Sequence, residues 1–185
     1  RAIDSADGTQ MSALEASIRK YVFESVEFYR RYVPGFEEAY ILCVSPYLGS
    51  RGGPFIHGQY TVTIEDIQRG ARFEDVVLVH YRHALFRTGA AEGCDLPYRM
   101  LLPKQVGGLM ATGTSAAYIR RGHDPAIRCR YTMYALGQAT GTAAAMAAVA
   151  GMDPGEIDVH SLQRTLMAEG FYLGDATRLA ELGLG

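Results

Sequence analysis

Lysine and cysteine are scarce in this sequence, and positive charge is in no excess. Of 185 residues only Lys20 and Lys104 are lysines, and the formal net charge is −2. A chain with no basic surplus lacks the electrostatic footprint of a nucleic-acid binder. The three cysteines, Cys43, Cys94 and Cys129, lie far apart and form no C-x-x-C pair, so neither a disulfide framework nor a structural zinc site is indicated. A reducing cytoplasm is the expected setting. No charged-then-apolar leader follows Arg1, and no signal peptide is expected. His80 and His83 form an H-x-x-H, but the stretch reads as a strand and brings no glutamate, so no metal site is expected.

Apolar residues are plentiful. At 48% hydrophobic content the chain can bury a real core, as one domain or one large part of a domain. Its cations are nearly all arginine, a side chain suited to fixed, bidentate contacts with anionic groups.

Along the chain, Ser12 and Glu15 fit a capping box for a helix. Leu14, Ile18, Tyr21, Val22, Phe28, Tyr29 and Tyr32 follow at helical spacing and read as core packing, up to a stop at Pro34-Gly35. Residues 39–45 read as a buried strand, and a Gly-rich loop then leads to a short strand at 59–62. Thr63 is placed to cap a helix that ends at Gly70. Strands are expected at 75–81, 98–102 and 108–112, and Asp158 should cap a last helix stopped by Gly170.

The segment 131–150, YTMYALGQATGTAAAMAAVA, has high helix propensity and almost no charge. At about 30 Å it is long enough to raise the question of a membrane span. Its Gln138, its Thr and Gly interruptions and the weak apolarity of Ala argue instead for a buried helix of a soluble protein. Gly137 and Gly141 make a G-x-x-x-G, which in such a helix means tight packing. Gln138 and Thr142 read as packing polar groups.

Before this helix, a short apolar strand, GLMATG, ends in small residues. A strand end of that kind lets a flat ligand lie against the backbone, and the following helix aims free N–H groups and its positive end at it. A flavin needs such an environment, because its pyrimidine edge gains negative charge on reduction. Arg128 and Arg130 add to the effect. Cys129, at the helix start, is where a thiol becomes more acidic, and a covalent flavin link there is conceivable.

The runs PYRMLLPKQVGGLMATG and IRCRYTMYALGQATGTAAAMA resemble the C-terminal signature of a family of FAD-dependent oxidoreductases distantly related to fumarate reductase flavoproteins. The matching features fall on Pro97-Tyr98-Arg99, Pro103-Lys104, Thr112-Gly113, Ile127-Arg128 and the stretch 135–143. Asp158, Leu162 and Gln163 match the family's closing helix. Upstream, residues 33–37, Gly49, Arg51, Gly58-Gln59-Tyr60 and Thr63 with Asp66 follow in the family's order, so the resemblance covers nearly the whole chain. Departures fall at Pro54-Phe55, where the family has an Arg-Arg pair, at Leu85-Phe86-Arg87, and in the loop after Gly113.

The resemblance implies an α/β or α+β fold: the C-terminal part of a two-domain flavoprotein. Residues 1–96 would be a substrate-domain segment, 97–152 the return strands and flavin-facing helix of the FAD-binding domain, and 153–185 a C-terminal helix and tail. FAD is the implied cofactor, contacted by Gly113, Thr114, Arg128, Cys129, Arg130, Tyr131 and Thr132. Arg51 and His57 in the Gly-rich loop, His83, and Arg99 in the Pro-Tyr-Arg match are the expected catalytic set on the substrate side. The reaction would be hydride transfer between an organic small molecule and flavin. The G-x-G-x-x-G unit that holds the FAD pyrophosphate in such proteins is missing, so the dinucleotide-binding half is expected on another chain or a preceding segment. The alternative is a non-catalytic interaction or scaffold subunit of a flavoprotein complex. His123 and His160 read as surface residues.

Overall fold

The computed structural model describes residues 3–49, 53–81, 93–118 and 129–185. Arg51, His83, Leu85-Phe86-Arg87, His123 and Arg128 lie outside the described residues. The chain divides into two compact units, Arg1–Pro54 and Phe55–Gly185.

The first unit is built on one helix, α1 (Gly8–Tyr32). It starts a turn earlier than the Ser12 box suggests, because Asp7 accepts from the Thr9 and Gln10 amides at 2.9 and 3.1 Å. It stops where Pro34-Gly35 predicts, with Gly35 at φ +89°. The expected strand at 39–45 does not form, and this stretch is irregular. A strand needs a neighbouring strand to satisfy its ladder, and this unit supplies none among its described residues. The coil that follows is tied to the helix instead, through Arg19, which donates to the Ser45 and Pro46 carbonyls at 3.0 and 2.9 Å. The core role expected for the α1 aromatics is also corrected: no residue of α1 is buried, and Tyr21 and Phe28 are 69% and 56% exposed. With one helix and no second element among its described residues, the unit gives them no interior. They stack on one another, as Phe28 on Tyr32 at 5.0 Å between centroids.

The second unit is α+β. Strand β1 (Val76–His80) forms as its apolar run predicts and pairs antiparallel with β2 (Cys94–Pro97), which the sequence did not suggest. The other expected strands fail for a shared reason: no third strand lies alongside this sheet among the described residues. Residues 98–102 turn instead into a short 3-10 helix, Tyr98–Met100, closed by Leu101 N donating to the Tyr98 carbonyl at 2.9 Å. Residues 108–112 are irregular. Near 59–62 only isolated bridges appear, Gly58 with Pro103 and Val62 with Tyr118.

Helix α2 (Ile64–Arg69) has the predicted boundaries. Thr63 and Asp66 complete a capping box, and Gly70 closes the helix at φ +67°. Helix α3 (Arg130–Ala150) packs Leu136, Ala139, Ala143 and Ala147 into the core with Leu96, Met100, Leu101, Leu162 and Leu166. Helix α4 (Val159–Ala168) is capped by Asp158 as expected. It is not the last helix: α5 (Ala176–Glu181) follows, capped by Asp175. Gln163 locks α4 to the sheet, its amide donating to the Glu74 and Val76 carbonyls at 2.8 and 3.0 Å.

Among the described residues nothing packs tightly on Gly137 or Gly141, in contrast to the expectation: a Cβ on either would meet nothing within 4 Å. Both lie off the face that carries Leu136 and Ala139. Gln138 is exposed and donates its amide to Glu169 at 2.7 Å, a surface contact rather than core packing. No described helix is long and apolar enough to cross a membrane.

Candidate functional site

Three elements converge at the start of α3. The first is the helix itself. Its N-cap residue, Cys129, makes no side-chain cap bond, and its first turn holds no acidic residue. The first turn of a helix leaves N–H groups without intrahelical partners and a partial positive charge, which Asp, Ser or Glu normally offsets. Here the first helical residue is Arg130, an exposed cation. Among the described residues, then, no side chain caps this acid-free, cation-bearing start, an arrangement unfavourable for the helix alone and suited to an electronegative ligand.

The second element is the 3-10 turn Gly113–Ser115. Gly113 sits at φ +59°, and a Cβ placed on it would lie 3.8 Å from Met133 Sδ, so this turn abuts the first turns of α3. The backbone angle, not a lack of space, is what asks for glycine. Thr114 is exposed beside it.

The third element is the end of β1. His80 is 2% exposed, and its Nδ1 lies 3.2 Å from Thr132 Oγ1. Its ring stacks on Tyr131 at 6.5 Å between centroids and 10° between planes. Thr132 is fully buried and Tyr131 half exposed. Partial burial, and then the Cys129 thiol, push the Tyr131 phenol above its ordinary value.

The structure thus brings together Gly113, Thr114, Cys129, Arg130, Tyr131 and Thr132. It places two expected substrate-side residues elsewhere. His57 is exposed in the loop, where its carbonyl accepts from Lys104 N at 2.8 Å. Arg99 lies over the rings of Tyr60 and Phe73, at 5.0 and 5.3 Å, and pairs with Asp75 at 2.9 Å. His80 was passed over in favour of His83 in the sequence reading. No sequence signal singles it out, because β1 is buried on both faces and only the tertiary packing shows which strand end meets α3.

A cavity of about 330 Å³ lies on another part of this unit, lined by Arg72, Tyr81, Tyr172, Asp175 and Arg178 among others. Its arginines are neutralised by Asp95 and Glu181. Among the described residues no group of three His, Cys, Asp or Glu side chains could hold a metal ion.

Residues 1–166 match the family model described as FAD dependent oxidoreductase. The chain belongs to that family. Its cofactor is accordingly FAD, and its general role is flavin-dependent redox chemistry. No curated protein and no solved structure matches the chain. The residues at the α3 start fit the flavin: a helix N-terminus that no described side chain caps, a cation and a glycine turn supply N–H donors and positive potential for an edge that collects negative charge.

Proposed function

We propose that this chain carries the isoalloxazine end of the FAD site in an oxidoreductase that transfers hydride between an organic small molecule and the flavin. The observation that carries the reading is the start of α3, which is uncapped, free of acid and next to the positive-φ Gly113. The flavin, when bound, supplies the hydride chemistry at N5. The residues of this chain orient and polarise it. Amides of residues 130–132 face its electron-rich edge, Arg130 adds positive potential, and the Gly113 turn allows close approach of the ring. Arg51, His57, His83 and Arg99 remain the candidates for the substrate side, with Arg99 held rigid by Tyr60, Phe73 and Asp75.

On this reading residues 1–96 belong to the substrate side and 97–152 to the flavin-binding domain, with 153–185 as the closing helix and tail. The pyrophosphate end of FAD is held by a dinucleotide-binding half that this sequence does not contain. The experiment is flavin retention. The chain refolded alone should not hold FAD with sub-micromolar affinity, whereas chain and dinucleotide-binding half together should purify yellow. A Gly113→Val change in that complex should strip the flavin, since a β-branched residue at that φ costs on the order of 1–2 kcal/mol of strain and intrudes on the ring. Full flavin content in the folded variant overturns the assignment.

A further inference from the structure

Among the described residues no side chain caps the start of α3, yet on the flavin reading it must aim its amides at a fixed point. Helix ends without a cap fray, because their N–H groups gain little from staying in register. Something outside the helix must therefore hold the first turn. Among the described residues only one side chain is seen to do so by two separate contacts. His80, at the end of β1, hydrogen bonds to Thr132 at 3.2 Å and stacks on Tyr131. Those are the second and third residues of the helix. Both His80 and Thr132 are buried, and β1 is anchored from its other end by Gln163 and by pairing with β2. The contact therefore ties the helix start to the two-stranded sheet.

We infer that His80 is the positioning residue of the flavin site: it pins the first turn of α3 through the side chains of Thr132 and Tyr131, and so fixes the direction of the α3 amides and of Tyr131 toward the cofactor. The inference rests on the flavin reading above. His80 acts through Thr132 and Tyr131 and not by touching the flavin. The bond works in either sense. His80 Nδ1–H can donate to the Thr132 hydroxyl oxygen, or the hydroxyl can donate to a bare Nδ1, and each fixes the same turn.

Loosening the first turn would spread the amide dipoles and weaken their hold on the reduced, negatively charged flavin more than on the oxidised form. The potential should fall. The test uses the FAD-loaded complex of both halves and compares His80→Leu, His80→Gln, Thr132→Val and Gly113→Val. The readouts are the flavin midpoint potential and backbone hydrogen exchange over residues 130–134.

His80→Leu and Thr132→Val should each shift the reduced-to-oxidised ratio at fixed potential about tenfold toward oxidised, about 30 mV for a two-electron couple. Both should also lose protection at 130–134. His80→Gln, which keeps a hydrogen-bonding group, should recover most of both. The double variant His80→Leu/Thr132→Val should show no more than the larger single effect. An unchanged potential in a folded Thr132→Val or His80→Leu complex, with Gly113→Val still stripping flavin, overturns the inference and leaves the flavin reading intact. If none of the four changes touches flavin content or potential, the flavin reading fails as well. Thr132→Val is near-isosteric, so a folding failure of His80→Leu does not remove the test.

Discussion

Arg178 on α5 reaches Asp95 on β2 across 83 residues of chain, its Nη2 donating to Oδ2 at 3.0 Å. Asp95 is fully buried and also receives Arg72 Nη1 and the Phe73 amide, both at 2.9 Å. The same Arg178 Nη2 donates to the Phe73 carbonyl at 2.9 Å. The C-terminal helix is thus clamped to the sheet by a satisfied, buried carboxylate. It lies beyond residue 166, where the family match ends. Leu173 and Leu182 pack on Val76 and Val79 beneath the clamp.

Breaking that clamp should loosen the sheet that carries His80. Arg178→Met leaves Asp95 one arginine and should cost about 2 kcal/mol, less than the roughly 3–5 kcal/mol lost when an isolated buried pair is broken. Asp95→Asn should cost at least as much, and the double change should cost less than the sum, because both remove one interaction. Urea unfolding midpoints decide it. Strict additivity would mean that the two side chains are not coupled.

Cys94 gives the unit an alkaline limit. Burial, and then the charges of Asp95 and Asp66, push its thiol from an ordinary 9.0 up to about 12. A group that stays protonated in the folded state while the unfolded state has already ionised favours unfolding as pH rises. Its contribution is whole below pH about 9 and is lost progressively toward about 12, by at most about 1.4 kcal/mol per pH unit. Tyr60 is also raised, from 10.0 to about 12, first by burial and then by Asp66. Its loss therefore starts later. Between about pH 9 and about pH 10 the urea midpoint should fall in the parent protein and stay flat in Cys94→Ala. An equal fall in both would remove Cys94 as the cause.

Gly58 shows how tightly the loop around residues 55–62 is seated. A Cβ there would lie 2.5 Å from Ala117 Cβ and 2.8 Å from the Tyr60 carbonyl. Gly58→Ala should cost about 1–3 kcal/mol through overpacking. Thermal unfolding of the variant tests this, and an unchanged midpoint would mean that the loop can shift at no cost.

The family signature was legible because it spells out staples. Thr63 and Asp66 cap α2, Tyr60 donates to Asp66 at 2.8 Å, Tyr98 donates to the Pro154 carbonyl at 2.6 Å, and Gln163 ties α4 to β1. Each is a local or polar requirement that restricts residue type. Helices α2 and α4 were legible for the same reason, through their caps, and α3 through its helix propensity. The strands at 39–45, 98–102 and 108–112 were not, because an apolar run of five to seven residues states only that burial is wanted. Whether it becomes a strand depends on a neighbour distant in sequence, and the described residues supply just one strand pair. At the site, Gly113 and the α3 start could be read from glycine and helix chemistry. His80 could not be preferred over His83, since the choice rests on which strand end meets α3, a tertiary fact.

Gly137 separates the properties of this chain from those of an assembly. In the chain its Cβ position is open, so Gly137→Ala should raise stability by up to about 1 kcal/mol through helix propensity. Gly137→Leu should be tolerated as well. The surrounding face does not look like a final surface: Tyr134 is 74% exposed and Val149 91%, on a helix with no charged residue after Arg130. A stripe of Ala, Gly and apolar side chains this poor in charge is the kind of surface a partner covers. If the dinucleotide-binding half packs there, the two changes diverge once the halves are joined. Alanine at 137 should leave the complex intact, while leucine forces a branched side chain into a close contact and should lower both assembly and flavin content. Elution volume and the visible spectrum of the joined halves read this directly. An intact, fully yellow Gly137→Leu complex would show that this face of α3 is not where the partner sits, even if Gly137→Ala stabilises the isolated chain as expected.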